Sequence, residues 1–170
     1  MKLCAIQQPY PYTPEEADAA VEFVIRELES CDDSLDLILT PEYSNCPTKF
    51  PSAEASIACA RKYYPALERA ARTLAARNGR PAIVTAGDLG CLVATADGKT
   101  TRIPAVPVTG EIDICGAGDT FLAATACALA AGSDLAEAAA LGCRAASVTI
   151  RKLRTTGTAN WEELQVADMR

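Results

Sequence analysis

Apolar residues Ala17, Ala20, Val21, Val24 and Leu28 recur every three or four positions through "PEEADAAVEFVIRELES", which places them along one side of a helix. Thr13 and Pro14 ahead of them, with Glu15 and Glu16 in the first turn, form a helix-start signal. On either side, "KLCAIQQP" and "LDLILTPEY" read as short buried strands, the first ended by proline. Helical spacing returns in "SAEASIACARKYYPALERAARTLAARNG", where Pro65 is expected to kink or divide the helix and Asn78-Gly79 to stop it.

The pattern changes after Gly79. "PAIVTAG" and "CLVATAD" predict strands separated by the turn "GDLG", and "GKTTRIPAVPV" continues in extended form, with Asp97-Gly98 predicting a hairpin turn. An alanine-rich helix is expected from about Asp119 to Ala131, then a break at "GSD" and a second helix from about Leu135 to Leu153. The order predicts a mixed α/β fold with strands followed by two helices in its second half. No internal repeat or low-complexity linker separates the halves.

With 170 residues the chain can build one sizeable core or two small ones. The balance of 22 acidic to 16 basic residues, a net charge of -6, argues against a nucleic-acid backbone or an anionic membrane as main partner. The one basic run, "RKLR" at Arg151 to Arg154, is expected to cap a helix end. No apolar run is long enough to cross a bilayer, and "MKLCAIQQPYPYTPEEAD" lacks the features of a signal peptide, so a cytoplasmic protein is expected.

Eight cysteines are scattered without a CxxC pair, and there is no histidine. That combination removes Cys/His zinc sites and every catalytic device built on a histidine, so no metal held by protein ligands alone is expected. The cysteines read as free thiols in a reducing compartment, and acid–base chemistry falls to Asp, Glu, Lys, Tyr or Cys.

The stretch "DICGAGDTF", Asp113 to Phe121, carries the candidate chemistry. Gly116, Ala117 and Gly118 stand where the first alanine-rich helix should begin, so the backbone can turn tightly and leave amides at the positive end of the helix dipole, a place for an anion. Asp119 beside them could take a proton from an alcohol attacking a phosphoryl group. The residues alone leave a second reading open: an acid in a helix's first turn also simply complements the dipole.

In combination, "IVTAGDLGCLV", "GEIDICGAGDTFLAATACALAAG" and "AASVTIRKLRTTGTA" resemble the C-terminal half of the ribokinase-like (PfkB) sugar kinase family, over about residues 81 to 160. The resemblance implies an ATP-dependent phosphotransferase using Mg²⁺, and a second half folded like the nucleotide-binding half of a ribokinase-like domain. It implies Asp119 as the base, Gly116 to Gly118 as the anion hole, and the loop Thr85 to Gly90 as the nucleotide contact, with Thr85, Gly87, Asp88 and Gly90 named. Cys143 stands where that family commonly has an asparagine bordering the adenine. Asp113 corresponds to an aspartate arranging a monovalent-cation site, although Ile114 and Cys115 follow where small hydroxyl residues are usual. The implied partners are a nucleotide and a small alcohol or sugar, whose contacts, like the acidic motif that organises magnesium, belong mainly to that family's N-terminal half. Without a match to that half, a truncated kinase of low or no activity is expected.

Residues 1 to 79 resemble instead the beginning of the nitrilase (carbon-nitrogen hydrolase) family, on "MKLCAIQQPYPYTPEEADAAVEF" and "LDLILTPEYS". That resemblance implies Glu42 as the counterpart of a general base, without the lysine and cysteine that complete the triad. The expected organisation is therefore a hydrolase-like fragment, 1–79, fused to a kinase-like fragment, 80–170, with packing as one domain left open. The alternative to catalysis is a remnant or assembly domain that pairs with itself through exposed edges and faces.

Overall fold

Pro14 lies in the first turn of α1 (Pro14–Ser30), where its missing N–H leaves no helical bond unmade. The Thr13 hydroxyl makes no cap bond; its carbonyl accepts from the Glu16 amide at 3.2 Å instead. The computed structural model describes residues 2–8, 11, 13–32, 34, 37–39 and 52–167. They fall into two units, Met1–Ala82 with Ala94–Lys99, and Ile83–Val93 with Thr100–Arg170.

In the first unit, α1 is the crossover that parallel strands require. It joins β1 (Leu3–Ala5) to β2 (Leu37–Leu39), paired in the register Leu3 to Leu37, Cys4 to Ile38 and Ala5 to Leu39. Ala17, Ala20, Val21 and Val24 form its buried side, as the spacing predicts, and Ile6, Val24 and Cys31 form a small cluster with Cys4, Phe23 and Leu28.

The long helix α2 (Ala53–Asn78) runs through Pro65 as one element of 26 residues, so the proline does not divide it. Tyr63 before the proline and Ala70, Ala71 and Ala75 after it are buried, and that packing on both sides offsets the roughly 3 kcal/mol that an interior proline costs. Gly79, at φ +62, ends the helix in the left-handed conformation its sequence signalled. Asp18 of α1 accepts from both Lys62 Nζ and the Tyr63 hydroxyl of α2, and Arg77 donates to the Glu29 carbonyl at 3.2 Å.

The second unit is built on a three-stranded sheet in the order β3 (Ala82–Thr85), β4 (Cys91–Ala94), β5 (Thr100–Ile103). The β4–β5 connection, whose residues Ala94–Lys99 are counted with the first unit, is closed by the Thr95 amide donating to the Lys99 carbonyl at 2.9 Å, with Gly98 at φ +81. Two helices follow, α3 (Ala117–Ala130) and α4 (Leu135–Thr149). Cys91, Val93, Phe121, Ala139 and Cys143 form the core, with Ile83, Ile103, Leu135 and Ala146 against it.

Small residues bring α3 and α4 together. A Cβ on Gly142 would lie 2.3 Å from Thr125 Oγ1 and 2.8 Å from the Phe121 ring, so only glycine permits this approach. Thr149 Oγ1, fully buried, donates to Thr120 Oγ1 at 3.1 Å and ties the end of α4 to the first turn of α3.

Helix α4 stops at Thr149 rather than near Leu153, because residues 151–160 leave the helix as a loop that returns to the start of α3. A short helix, α5 (Trp161–Ala167), follows. Its start is a capping box, Glu163 accepting from the Asn160 amide and Asn160 accepting from the Glu163 amide, both at 2.9 Å. Trp161, expected to anchor the tail, is 66 % exposed at the first position of this helix. No helix among the described residues is long and apolar enough to cross a membrane.

Candidate functional site

Gly116 takes φ +78 as the residue preceding α3, a conformation open to glycine and strained for other residues. The Ala117 amide turns back to the Ile114 carbonyl at 3.1 Å, and the Thr120 amide makes the first helical bond, to the Gly116 carbonyl at 3.0 Å. Between them, the amides of Gly118 and Asp119 have no carbonyl four residues back inside the helix to receive them. A Cβ on Gly118 would meet nothing within 4 Å, so the backbone here borders open space. The Asp119 side chain is exposed and makes neither an ion pair nor a hydrogen bond among the described residues. A free carboxylate thus stands beside two outward amides at the positive end of a 14-residue helix.

Asp113 is placed differently. Its Oδ1 accepts from the Cys115 amide at 3.0 Å and its Oδ2 from the Arg154 amide at 2.9 Å, while its own N–H donates to the Ile150 carbonyl at 2.8 Å. The loop after α4 is thereby drawn to the turn. Thr156 in that loop puts Cγ2 2.8 Å from where a Gly116 Cβ would be, and its Oγ1 lies 3.8 Å from the Sγ of exposed Cys115. Farther along, Lys152 donates to the Thr158 carbonyl and pairs with Glu163 at 2.8 Å. The amide of Asn160 and the Lys152 ammonium hold the Glu163 carboxyl below its ordinary range.

The other expected nucleotide contacts lie on the same unit. Thr85 ends β3 and is exposed, and Gly87 at φ +57 opens a 3₁₀ turn, Gly87–Leu89, that carries Asp88 on the surface. Gly90 is cramped: a Cβ there would be 2.0 Å from the Ile103 carbonyl oxygen and 2.5 Å from the Ala105 nitrogen. Cys143 is buried in the core with its Sγ 3.8 Å from that of Cys91, the residue following Gly90. Glu42 lies outside the described residues.

Sequence reasoning missed Arg154 and Thr156 as neighbours of the turn. An arginine and a threonine within "RKLRTT" carry no local signal of this, since their contacts are with Asp113, Cys115 and Gly116, about forty residues earlier in the chain. Among the described residues no group of three or more His, Cys, Asp or Glu could hold a metal ion.

A profile of the pfkB family of carbohydrate kinases matches residues 50–162. Among characterised relatives, the bifunctional protein HldE of Shewanella baltica (strain OS185) is 36 % identical over 99 residues, 58 % of this chain and 21 % of that protein. The match thus spans only about a fifth of the relative's length. Ribokinase from Thermotoga maritima superposes with a TM-score of 0.61 at 22 % identity, covering 99 % of this chain and 56 % of its own. Arabidopsis thaliana ribokinase, solved with ribose and ATP, gives 0.55 at 16 % identity over 97 % of this chain and 46 % of its own. At those identities the two structures speak for the fold, a ribokinase-like α/β arrangement. The profile covers well over half of the chain, and the chain belongs to the pfkB family of carbohydrate kinases.

Proposed function

We propose that this chain supplies the anion hole and the base of an ATP-dependent phosphotransferase acting on a sugar or related alcohol. The observation that carries the reading is the unpaired, exposed carboxylate of Asp119 beside the outward amides of Gly118 and Asp119. In this role Asp119 accepts the proton of the attacking hydroxyl as the oxygen–phosphorus bond forms, and the amides of the turn bind the oxygens on which charge collects. Exposed residues of the loop Thr85 to Gly90 meet the nucleotide, and Cys143 acts from beneath, packed on Cys91. ATP and ribose occupy the Arabidopsis ribokinase of similar fold, which supports this choice of partners.

Magnesium fits the donor set in a limited way. Mg²⁺ binds through one or two carboxylates together with substrate phosphates, so Asp119 is the residue that would face it, and the ion would neutralise phosphate charge. A monovalent cation does not fit. Asp113 already accepts one backbone amide at each carboxylate oxygen, and Ile114 and Cys115 add no side-chain oxygen to complete a shell, so no step is derived through such an ion.

Calorimetric titration with adenylyl imidodiphosphate, alongside a phosphoryl-transfer assay on a panel of sugars, tests the proposal. Asp119→Asn should leave analogue affinity within a few-fold while lowering turnover by roughly 10²–10⁴. Absence of analogue binding by the unaltered protein would remove the kinase reading.

A second reading, self-association without catalysis, is favoured by the exposed apolar side chains Ile114, Leu122 and Leu129 in and just before α3, with Leu122 67 % exposed. Light scattering separates the two, because an obligate oligomer indifferent to nucleotide supports the second alone. The hydrolase-like reading of residues 1–79 gains no support: the kinase-family match opens at residue 50, so α2 falls within it.

A further inference from the structure

Asp113 joins three pieces of backbone that are far apart in sequence. Its N–H reaches the Ile150 carbonyl at the end of α4, Oδ1 holds the Cys115 amide within the turn, and Oδ2 holds the Arg154 amide in the return loop. The bond to Cys115 alone would be an ordinary local turn of the kind aspartates often make. The bond to Arg154, 41 residues away, is not local.

Arg154 is the one residue other than glycine with positive φ among those described, at +59°. That conformation is disfavoured for a residue with a side chain and persists only where the surroundings impose it. Two residues later Thr156 lies against Gly116, its methyl 2.8 Å from the position of a side chain there. Fixing the Arg154 amide therefore fixes where the wall of the turn stands, while fixing the Cys115 amide fixes the turn itself.

We infer that Asp113 is a positioning residue for the anion hole: its carboxylate, through the Cys115 and Arg154 amides, holds the turn 115–118 against the loop 154–156. It acts in this place instead of as a ligand of a monovalent cation. What the hole holds rests on the phosphotransferase reading; the bracing of the turn does not.

The test combines amide hydrogen exchange with titration by adenylyl imidodiphosphate, in potassium and in tetramethylammonium buffers. The variants are Asp113→Ala, Asp113→Asn and, as a control, Asp134→Ala, which removes the cap of α4 without touching the turn. Asp113→Ala should lose protection at both the Cys115 and Arg154 amides and weaken the analogue at least tenfold. Asp113→Asn, which keeps one carbonyl oxygen, should protect one of the two amides and recover part of the affinity, and it serves if the alanine variant does not fold. The control should lower stability yet keep the analogue affinity, and binding should be equal in the two buffers. Unchanged affinity in Asp113→Ala, an equal loss in the control, or potassium-dependent binding that Asp113→Ala abolishes would each overturn the inference. If the unaltered protein binds no analogue, the kinase reading fails by itself. The exchange arm then decides alone: protected amides that Asp113→Ala exposes uphold the bracing role, and amides unprotected from the start overturn it.

Discussion

Thr156 occupies the space into which a side chain at Gly116 would project, with Cγ2 2.8 Å from the position of its Cβ. Gly116 is thus fixed as glycine twice over, by this contact and by φ +78. Gly116→Ala should destabilise the protein by about 2 kcal/mol, since a left-handed residue with a Cβ costs about 1–2 kcal/mol before any clash. Adding Thr156→Ser removes the methyl and should recover the steric part but not the conformational part. Denaturant unfolding of the single and double variants measures both, and an unchanged Gly116→Ala midpoint would count against the turn geometry.

At the helix pair, Gly142 faces Thr125 and Phe121 with no room for a methyl group. Alanine gains about 1 kcal/mol of helix propensity over glycine, but overpacking of this kind costs about 1–3 kcal/mol. Gly142→Ala should therefore be net destabilising, by up to about 2 kcal/mol. Thr125 Oγ1 is buried without a hydrogen-bond partner among the described residues, so Thr125→Ala in the same chain should restore most of the loss. A double-mutant cycle reads the coupling directly, and strictly additive effects would contradict the contact.

Arg154 offers the reverse experiment. Glycine at φ +59 relieves a cost of about 1–2 kcal/mol while adding about 0.5–1 kcal/mol of unfolded-state freedom. Arg154→Gly should raise stability by about 0.5–1 kcal/mol and leave the amide bond to Asp113 in place. Thermal melting with exchange protection at residue 154 checks both statements, and a lower melting temperature would show that the arginine side chain stabilises more than its backbone costs.

Stability should also respond to pH through the link between α1 and α2. The bonds from Lys62 and Tyr63 hold the Asp18 carboxyl below its usual range, so the stability it contributes is complete above about pH 4 and is lost as pH falls through its folded value. Burial, and then the bond to Asp18, push the Tyr63 hydroxyl up to about 12. Its contribution is complete below about pH 10 and is lost as pH rises from there, as the unfolded tyrosine ionises first. The Lys62 ammonium is also raised, chiefly by Asp18, and adds to the alkaline limb. Denaturation midpoints across pH should flatten on the acid side in Asp18→Asn, and partly on the alkaline side in Tyr63→Phe. Profiles that match the unaltered protein in both variants would rule the link out as a source of stability.

Local signals carried the parts of this fold that depend on near neighbours. The amphipathic spacing of α1, the glycine stop of α2 and the turn before α3 are each written within a few residues, and each stands where the sequence puts it. Pro65 does not divide its helix, because burial of Tyr63 and Ala70 on its two sides outweighs one lost bond. The end of α4 was read four residues too far along, since the chain leaves the helix after Thr149 under contacts with Asp113 that no window around residue 150 contains. Helix α5 escaped notice because its capping box, Asn160 with Glu163, precedes only seven residues. The hydrolase-like reading of the first half rested on the order strand, helix, strand-Pro-Glu and second helix, an order that many α/β proteins share, and its Glu42 lies outside the described residues.

The close approach at Gly90 bears on how the surface around it can behave. Backbone atoms of Ile103, Pro104 and Ala105 stand within 2.6 Å of where a side chain at position 90 would begin. The rim that presents Asp88 and Leu89 is therefore wedged against the exit of β5 and has no slack in that direction. Any residue other than glycine at position 90 would have to push that strand exit away and shift the rim from its present place.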